Sequence, residues 1–146
     1  MAEPTEKVAE FIRLAAPQER WPRVCSRTLQ CYESGLTVAL HVATPQDAEH
    51  LDGLLWTFQD NSFLPHVRLG EAQEPVLEPV IIYCGDERIG EADVLFEASG
   101  GAPREDLGRF AHILDFAELY DDALAGASRR RYKACRDAGC RMRYVT

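Results

Sequence analysis

Apolar and polar residues alternate along the chain with two different periods. Short apolar-rich runs typical of strands occur at 7–14, 36–43, 79–84, 92–99 and 111–116. Amphipathic runs with helical spacing separate them: one up to Ser34, one from Pro45 to about Phe58, a short one at 104–110 and a long one near the C-terminus. This alternation predicts an α/β fold, in which helices pack on the faces of a mostly parallel sheet.

Residues that favour helix termini mark the ends of three of these segments. Thr44 is typical of an N-cap, Pro45 of a first helical position and Asp47 of a capping box. Gly35 favours the end of the preceding helix, and the acidic pair 121–122 favours the start of the last helix through the helix dipole.

The second helix has one apolar stripe and one large aromatic residue outside it. The stripe is expected to face the sheet and consists of Ala48, Leu51, Leu54, Leu55 and Phe58. Trp56 points away from the stripe and is followed, after the polar turn "QDNS", by Phe63, Leu64 and Pro65. Periodicity alone leaves two interpretations open: an aromatic docking patch for a protein partner, or a second small core beneath the connection.

The last helix separates an apolar face from a basic one. Its predicted apolar face consists of Leu124, Ala127, Ala134, Cys135 and Ala138. Arg129, Tyr132, Lys133 and Arg136 stand at i, i+3, i+4 and i+7 on another face. Cations beside an aromatic ring suit an acidic peptide with an apolar anchor, but single-stranded nucleic acid uses the same residue types. A merely solvated basic face is the third interpretation.

Length and hydropathy favour one domain spanning residues 1–146, with 46% hydrophobic residues available for its core. No apolar run approaches the roughly 20 residues that cross a bilayer, and the N-terminus lacks the pattern of a signal peptide. A soluble cytoplasmic protein without membrane contact is therefore expected.

Charge is distributed unevenly. The net charge of −8 argues against a general affinity for nucleic acid, so direct DNA binding is expected to be weak or absent. From Arg129 onward, however, seven basic residues stand against the single acid Asp137. The basic helix is thus the one segment expected to attract anions.

Motifs for catalysis or cofactor binding are missing. The five cysteines have no metal-ligand spacing, and neither GxGxxG nor GxxxxGK[ST] occurs, so no metal or cofactor is predicted. Cys84 ends a predicted strand, where a nucleophile could sit, but a small α/β enzyme of this kind would need an activating base within about 3 Å of its sulfur. No catalytic residue is predicted.

Two segments, "LDGLLWTFQDNSFLPHVRLGE" (51–71) and "RRRYKACRDAGC" (129–140), resemble the chi subunit of bacterial DNA polymerase III. The resemblance covers about residues 8–140 and implies a nucleotide-binding-like α/β fold without its phosphate loop. It also implies a non-catalytic accessory protein of the clamp loader. Residues 1–7 are expected to form a flexible extension outside this domain.

Chi proteins bind the psi subunit of the clamp loader and the acidic C-terminal tail of single-stranded DNA-binding protein. The resemblance assigns psi binding to the patch of Trp56, Phe63, Leu64 and Pro65, and tail binding to Arg129, Tyr132, Lys133 and Arg136. A DNA-repair helicase in place of psi is the alternative partner for the aromatic patch. Residues 116–120 and the final "RMRYVT" depart from the family pattern, so Arg136, Arg141 or Arg143 are candidates to complete a different set of tail-binding cations.

Overall fold

A computed structural model describes residues 6–58, 64–71, 76–85 and 87–146. The strands are Val8–Leu14 (β1), Val38–Val42 (β2), His66–Arg68 (β3), Val80–Cys84 (β4), Val94–Glu97 (β5), His112–Glu118 (β6) and Arg141–Val145 (β7). The α-helices are Arg20–Glu33 (α1), Pro45–Thr57 (α2) and Asp122–Asp137 (α3). The strands form one parallel sheet in the order β3-β4-β2-β5-β6-β1-β7. The predicted α/β class is confirmed.

The helix termini form where the sequence favours them. The Thr44 hydroxyl accepts a hydrogen bond from the Asp47 amide at 3.1 Å, and Pro45 occupies the first position of α2. The Asp121 carboxylate accepts from the Leu124 amide at 2.9 Å and caps α3. Gly35 follows α1 with a φ of 82°, a left-handed conformation that costs glycine little.

The two faces of the sheet carry separate hydrophobic cores. On one face, α1 and α2 cover a core that includes Leu40, Ile82, Phe96 and Phe116. On the other face, α3 covers a core that includes Phe11, Tyr83, Phe110 and Ile113. Within the described residues, no helix is long and apolar enough to cross a membrane.

The sequence analysis did not predict β3 and β7, and both strands lie at edges of the sheet. β3 has only three residues, too few to show a period, and β7 carries two exposed arginines and therefore lacks an apolar-rich run. The Lys7 carbonyl accepts a hydrogen bond from the Arg141 amide at 2.7 Å, and the Lys7 ammonium donates to the Gly108 carbonyl at 2.6 Å. The hydrogen bonds between β1 and β7 thus begin at Lys7.

Candidate functional site

A buried polar clamp fixes α3 against β6. The Arg131 guanidinium lies 3.0 Å from the Asp115 carboxylate and donates to the Gly101 carbonyl at 2.9 Å. The Ser128 hydroxyl donates to the Phe116 carbonyl at 3.0 Å and accepts from the Glu118 amide at 3.2 Å. These contacts set the rotation of α3 and therefore decide which of its residues face outward.

The face of α3 that is buried differs from the apolar face that the sequence predicts. The buried residues of this helix are Ala125, Ser128, Arg131 and Cys135, whereas Leu124, Ala127, Ala134 and Ala138 are only half-buried. Arg131 is 3% exposed, so it adds nothing to the basic surface in which its charge was counted. Burial raises the pKa of the Asp115 carboxyl above its usual range, in spite of the nearby guanidinium.

A groove with apolar walls runs between α3 and the strands β6, β1 and β7. Its volume is about 380 Å³, and it is lined by Phe11, Ala117, Leu119, Ala125, Ser128, Arg129, Tyr132 and Tyr144. The Tyr132 ring packs edge-on against Phe11, with 5.1 Å between the ring centroids, so the aromatic residue of the basic helix forms part of the wall. Leu119 and Tyr144 are about half exposed in the same groove. An apolar side chain of a ligand could be buried here.

Exposed cations stand on and beside this groove. Arg129 lines it, and Lys133 and Arg136 continue along the solvent-exposed side of α3. None of these three cations forms an ion pair with an acid in the described part of the chain. Their charges are thus available to an anionic ligand.

Arg141 and Arg143, considered as further cations of this site, lie on the other face of the sheet. Side chains alternate along a strand, and Met142 and Tyr144 point to the α3 side. Arg143 instead lies 3.4 Å from the Glu10 carboxylate, which also pairs with Arg27 of α1. Arg141 and Arg143 therefore do not line the groove, and any contact that they make with a ligand would be on the opposite face of β7.

The aromatic patch is built on α2 and β3. Trp56 is 52% exposed, and its ring packs on the His66 ring at 4.4 Å between centroids. The His66 imidazole is held by the Leu64 carbonyl at 2.7 Å and the Asp52 carboxylate at 3.3 Å. Trp56 is therefore a partly exposed side chain on a fixed support, not part of a second core.

The other members of the predicted patch differ in their surroundings. Leu64 is 1% exposed and packs in the core beneath α2, so its assignment to the exposed patch is wrong. Pro65 is half-buried, and Phe63 lies outside the described residues. In α2, Leu51 and Leu55 are buried in the core as the stripe predicted, and the rest of the stripe packs against it or joins it.

The sequence analysis missed a buried ion pair at the carboxyl ends of β2 and β5. The His41 imidazole lies 2.8 Å from the Glu97 carboxylate and 2.9 Å from the Gly85 carbonyl. Burial alone would lower the pKa of His41, but the hydrogen bond and charge of Glu97 raise it. Because both ring nitrogens face acceptors, the geometry favours a doubly protonated ring. The two residues are 56 positions apart, so no local motif could have revealed the pair.

Cys84 has a carboxylate beside it rather than an imidazole. Its sulfur lies 3.1 Å from Glu87, which meets the distance expected of an activating base. Burial and the negative charge of Glu87 nevertheless raise the pKa of the thiol, which disfavours the thiolate that a nucleophile requires. The surroundings of Cys84 do not activate it.

Comparison with known proteins identifies a similar fold and the family of this chain. A solved structure of the C-terminal domain of the DEAD-box protein Dbp5 has a TM-score of 0.60 and 14% identity, covering 97% of this chain and 90% of that one, and thus shows a similar fold. DNA polymerase III subunit chi of Pseudomonas aeruginosa is 28% identical over 86% of this chain and 84% of its own. The Haemophilus influenzae chi subunit is 30% identical over 79% and 78%, and that of Escherichia coli 28% over 84% and 82%. Residues 7–143 match the family described as the DNA polymerase III chi subunit, HolC, and the chain belongs to this family.

Proposed function

We propose that this chain is a non-catalytic adaptor of the replication machinery in the bacterial cytoplasm. It joins the psi subunit of the clamp loader to the acidic C-terminal tail of single-stranded DNA-binding protein. Membership of the chi family supports a role in the polymerase III complex. The observation that carries the choice of tail ligand is the apolar groove of α3, beside which stand cations that form no ion pair with the acids the structure describes.

The groove suits the chemistry of an acidic tail. Arg129 and Lys133 can meet carboxylates, and the space beside Phe11 and Tyr132 can bury an apolar terminal side chain. Upstream of α3 the chain carries many more acids than bases, so an anion is repelled elsewhere and attracted here. The groove favours a peptide over single-stranded DNA because its interior accepts a side chain, whereas a strand needs an extended basic track.

The aromatic patch supports docking of psi at the opposite edge of the sheet. Trp56 packs on His66 of β3, and the tail groove lies beside β7. Seven strands at the usual spacing separate β3 from β7 by roughly 29 Å. Two partners can therefore be held at once without touching the same residues.

A non-catalytic role agrees with the state of the two groups most suited to catalysis. The Cys84 thiol has a raised pKa, and both nitrogens of His41 are engaged by acceptors, so neither is poised as nucleophile or base. The purified protein is expected to hydrolyse no nucleotide. Turnover that copurifies with the wild type and disappears in a Cys84→Ala variant would contradict this role.

Fluorescence anisotropy with a labelled acidic tail peptide tests the tail site. We expect saturable binding that weakens as salt rises but persists at physiological ionic strength, because apolar burial is insensitive to screening. A poly-dT strand of equal charge is the competitor. Tighter binding of poly-dT than of the peptide would reassign α3 to direct DNA contact.

Copurification with psi tests the aromatic patch. Wild-type protein is expected to retain psi, and Trp56→Ala is expected to lose it. Leu119→Ala is the matched control, because Leu119 is also a large exposed apolar residue, at 47%, but lines the groove of α3 near the opposite edge of the sheet. If the wild-type protein does not bind psi but binds a repair helicase through Trp56, the helicase is the partner of the aromatic patch and psi is not.

A further inference from the structure

β7 leaves one edge of the sheet open for pairing. It is the outermost strand, and among the described strands it pairs with β1 alone. The Arg141 amide donates to the Lys7 carbonyl, so its backbone faces inward. Backbone groups alternate in direction along a strand, and those of Met142 and Tyr144 therefore face outward. An extended peptide could hydrogen-bond to this edge.

The side chains of β7 restrict what can pair with it. Arg141 and Arg143 are 70% and 59% exposed, and a second copy of this chain at the same edge would bring these cations together. Exposed charges of one sign on an edge strand disfavour such self-pairing. Pairing with an acidic strand is favoured instead, because its carboxylates are attracted to the same cations.

Side chains alternate between the two faces of β7, so this edge of the sheet lies directly beside the tail groove. Tyr144 lines the groove together with Arg129 and Tyr132, whereas Arg143 projects from the opposite face. A peptide strand beside β7 would also direct alternate side chains to the two faces. One set would reach the groove and α3, and the other would reach the arginines of β7.

We infer that the acidic tail binds as an eighth strand, by adding its backbone to the open edge of β7. Its apolar end occupies the groove, and its carboxylates meet Arg129 on one face and Arg143 on the other. This inference rests on the proposed tail site and adds to it a backbone geometry. It also gives β7 a direct part in binding.

Amide hydrogen exchange on the full chain, with and without a saturating acidic tail peptide, tests this geometry. The outward amides of Met142 and Tyr144 are expected to exchange at least about tenfold more slowly in the complex. The amides of Arg143 and Val145 already face β1 and are expected to change little. A peptide that binds without slowing Met142 and Tyr144 would overturn the strand geometry and leave the groove site intact. Absence of any peptide binding would overturn both.

Backbone methylation of the peptide provides an independent measurement. Methyl groups on alternate amides give two peptides with the same side chains and charge, and only one of them blocks the hydrogen bonds to β7. We expect one peptide to lose at least about tenfold in affinity and the other to bind nearly as the parent does. Equal affinities for the two peptides would overturn the inference.

A variant pair tests the arginines of β7. Arg143→Gln is expected to weaken peptide binding by about threefold or more, whereas Arg88→Gln, an equal loss of charge on an exposed loop, is expected to have no effect. Equal effects of the two variants would show that only net charge matters and would overturn the assigned contact.

Discussion

Replacing Arg131 with methionine tests the clamp that orients the tail-binding helix. Arg131 and Asp115 are 3% and 1% exposed and lie 3.0 Å apart, so the substitution leaves a carboxylate buried without its partner. Breaking such a pair typically costs about 3–5 kcal/mol. The variant also loses the bond to the Gly101 carbonyl, so we expect the upper part of this range.

Urea unfolding followed by far-ultraviolet circular dichroism measures this cost as a shift of the midpoint at constant slope. Arg130→Met is the matched control, since Arg130 is exposed on the same helix and should change the free energy of unfolding by about 0.5 kcal/mol or less. The double variant Arg131→Met with Asp115→Leu removes both charges and should recover most of the loss. A loss below about 1 kcal/mol for Arg131→Met, or no recovery in the double variant, would refute the reasoning.

Three further predictions concern the two docking surfaces and the buried ion pair. Trp56→Ala should weaken psi binding by about 2 kcal/mol or more in calorimetric titration, with a melting temperature close to wild type because the side chain is half exposed. Unfolding at ordinary temperature would place it in the core. Arg129→Ala should weaken tail-peptide binding by about 1.5–3 kcal/mol in anisotropy titrations, while Arg130→Ala should match wild type; equal losses would refute the groove assignment. Because Glu97 raises the pKa of His41 and His41 lowers that of Glu97, the stabilisation by this pair is complete between about pH 4.5 and pH 6.5 and is lost as pH rises through the raised pKa of His41. Between about pH 6 and pH 9, wild type should therefore lose more unfolding free energy than His41→Gln, and parallel curves would contradict this.

Local signals account for the parts of the fold that the sequence predicts. Caps such as Thr44 and Asp121 act within one turn, and an apolar strand run is visible in a window of a few residues. The class of fold and the strands β1, β2, β4, β5 and β6 follow from such signals. β3 and β7 do not, because a strand at an edge of the sheet is defined by its pairing with a distant segment.

The residues of the candidate site could be predicted only where the sequence also indicates how α3 is rotated about its own axis. Spacing places Arg129 and Lys133 on one exposed side of α3, and the structure agrees. It could not separate Arg131 from its neighbours, since the difference depends on Asp115, 16 residues earlier. Leu64 was misassigned for a similar reason: a position within an apolar segment of the chain does not determine whether its side chain turns into the core.

The adaptor function is tested most directly by measuring whether this chain bridges its two partners. Single-stranded DNA immobilised on a biosensor and coated with single-stranded DNA-binding protein is exposed to psi, with and without the chain. We expect psi to be retained only when the chain is present, and not when the coating protein lacks its acidic tail or the chain carries Arg129→Ala. Retention of psi that is unaffected by removing either the tail or Arg129 would contradict the account.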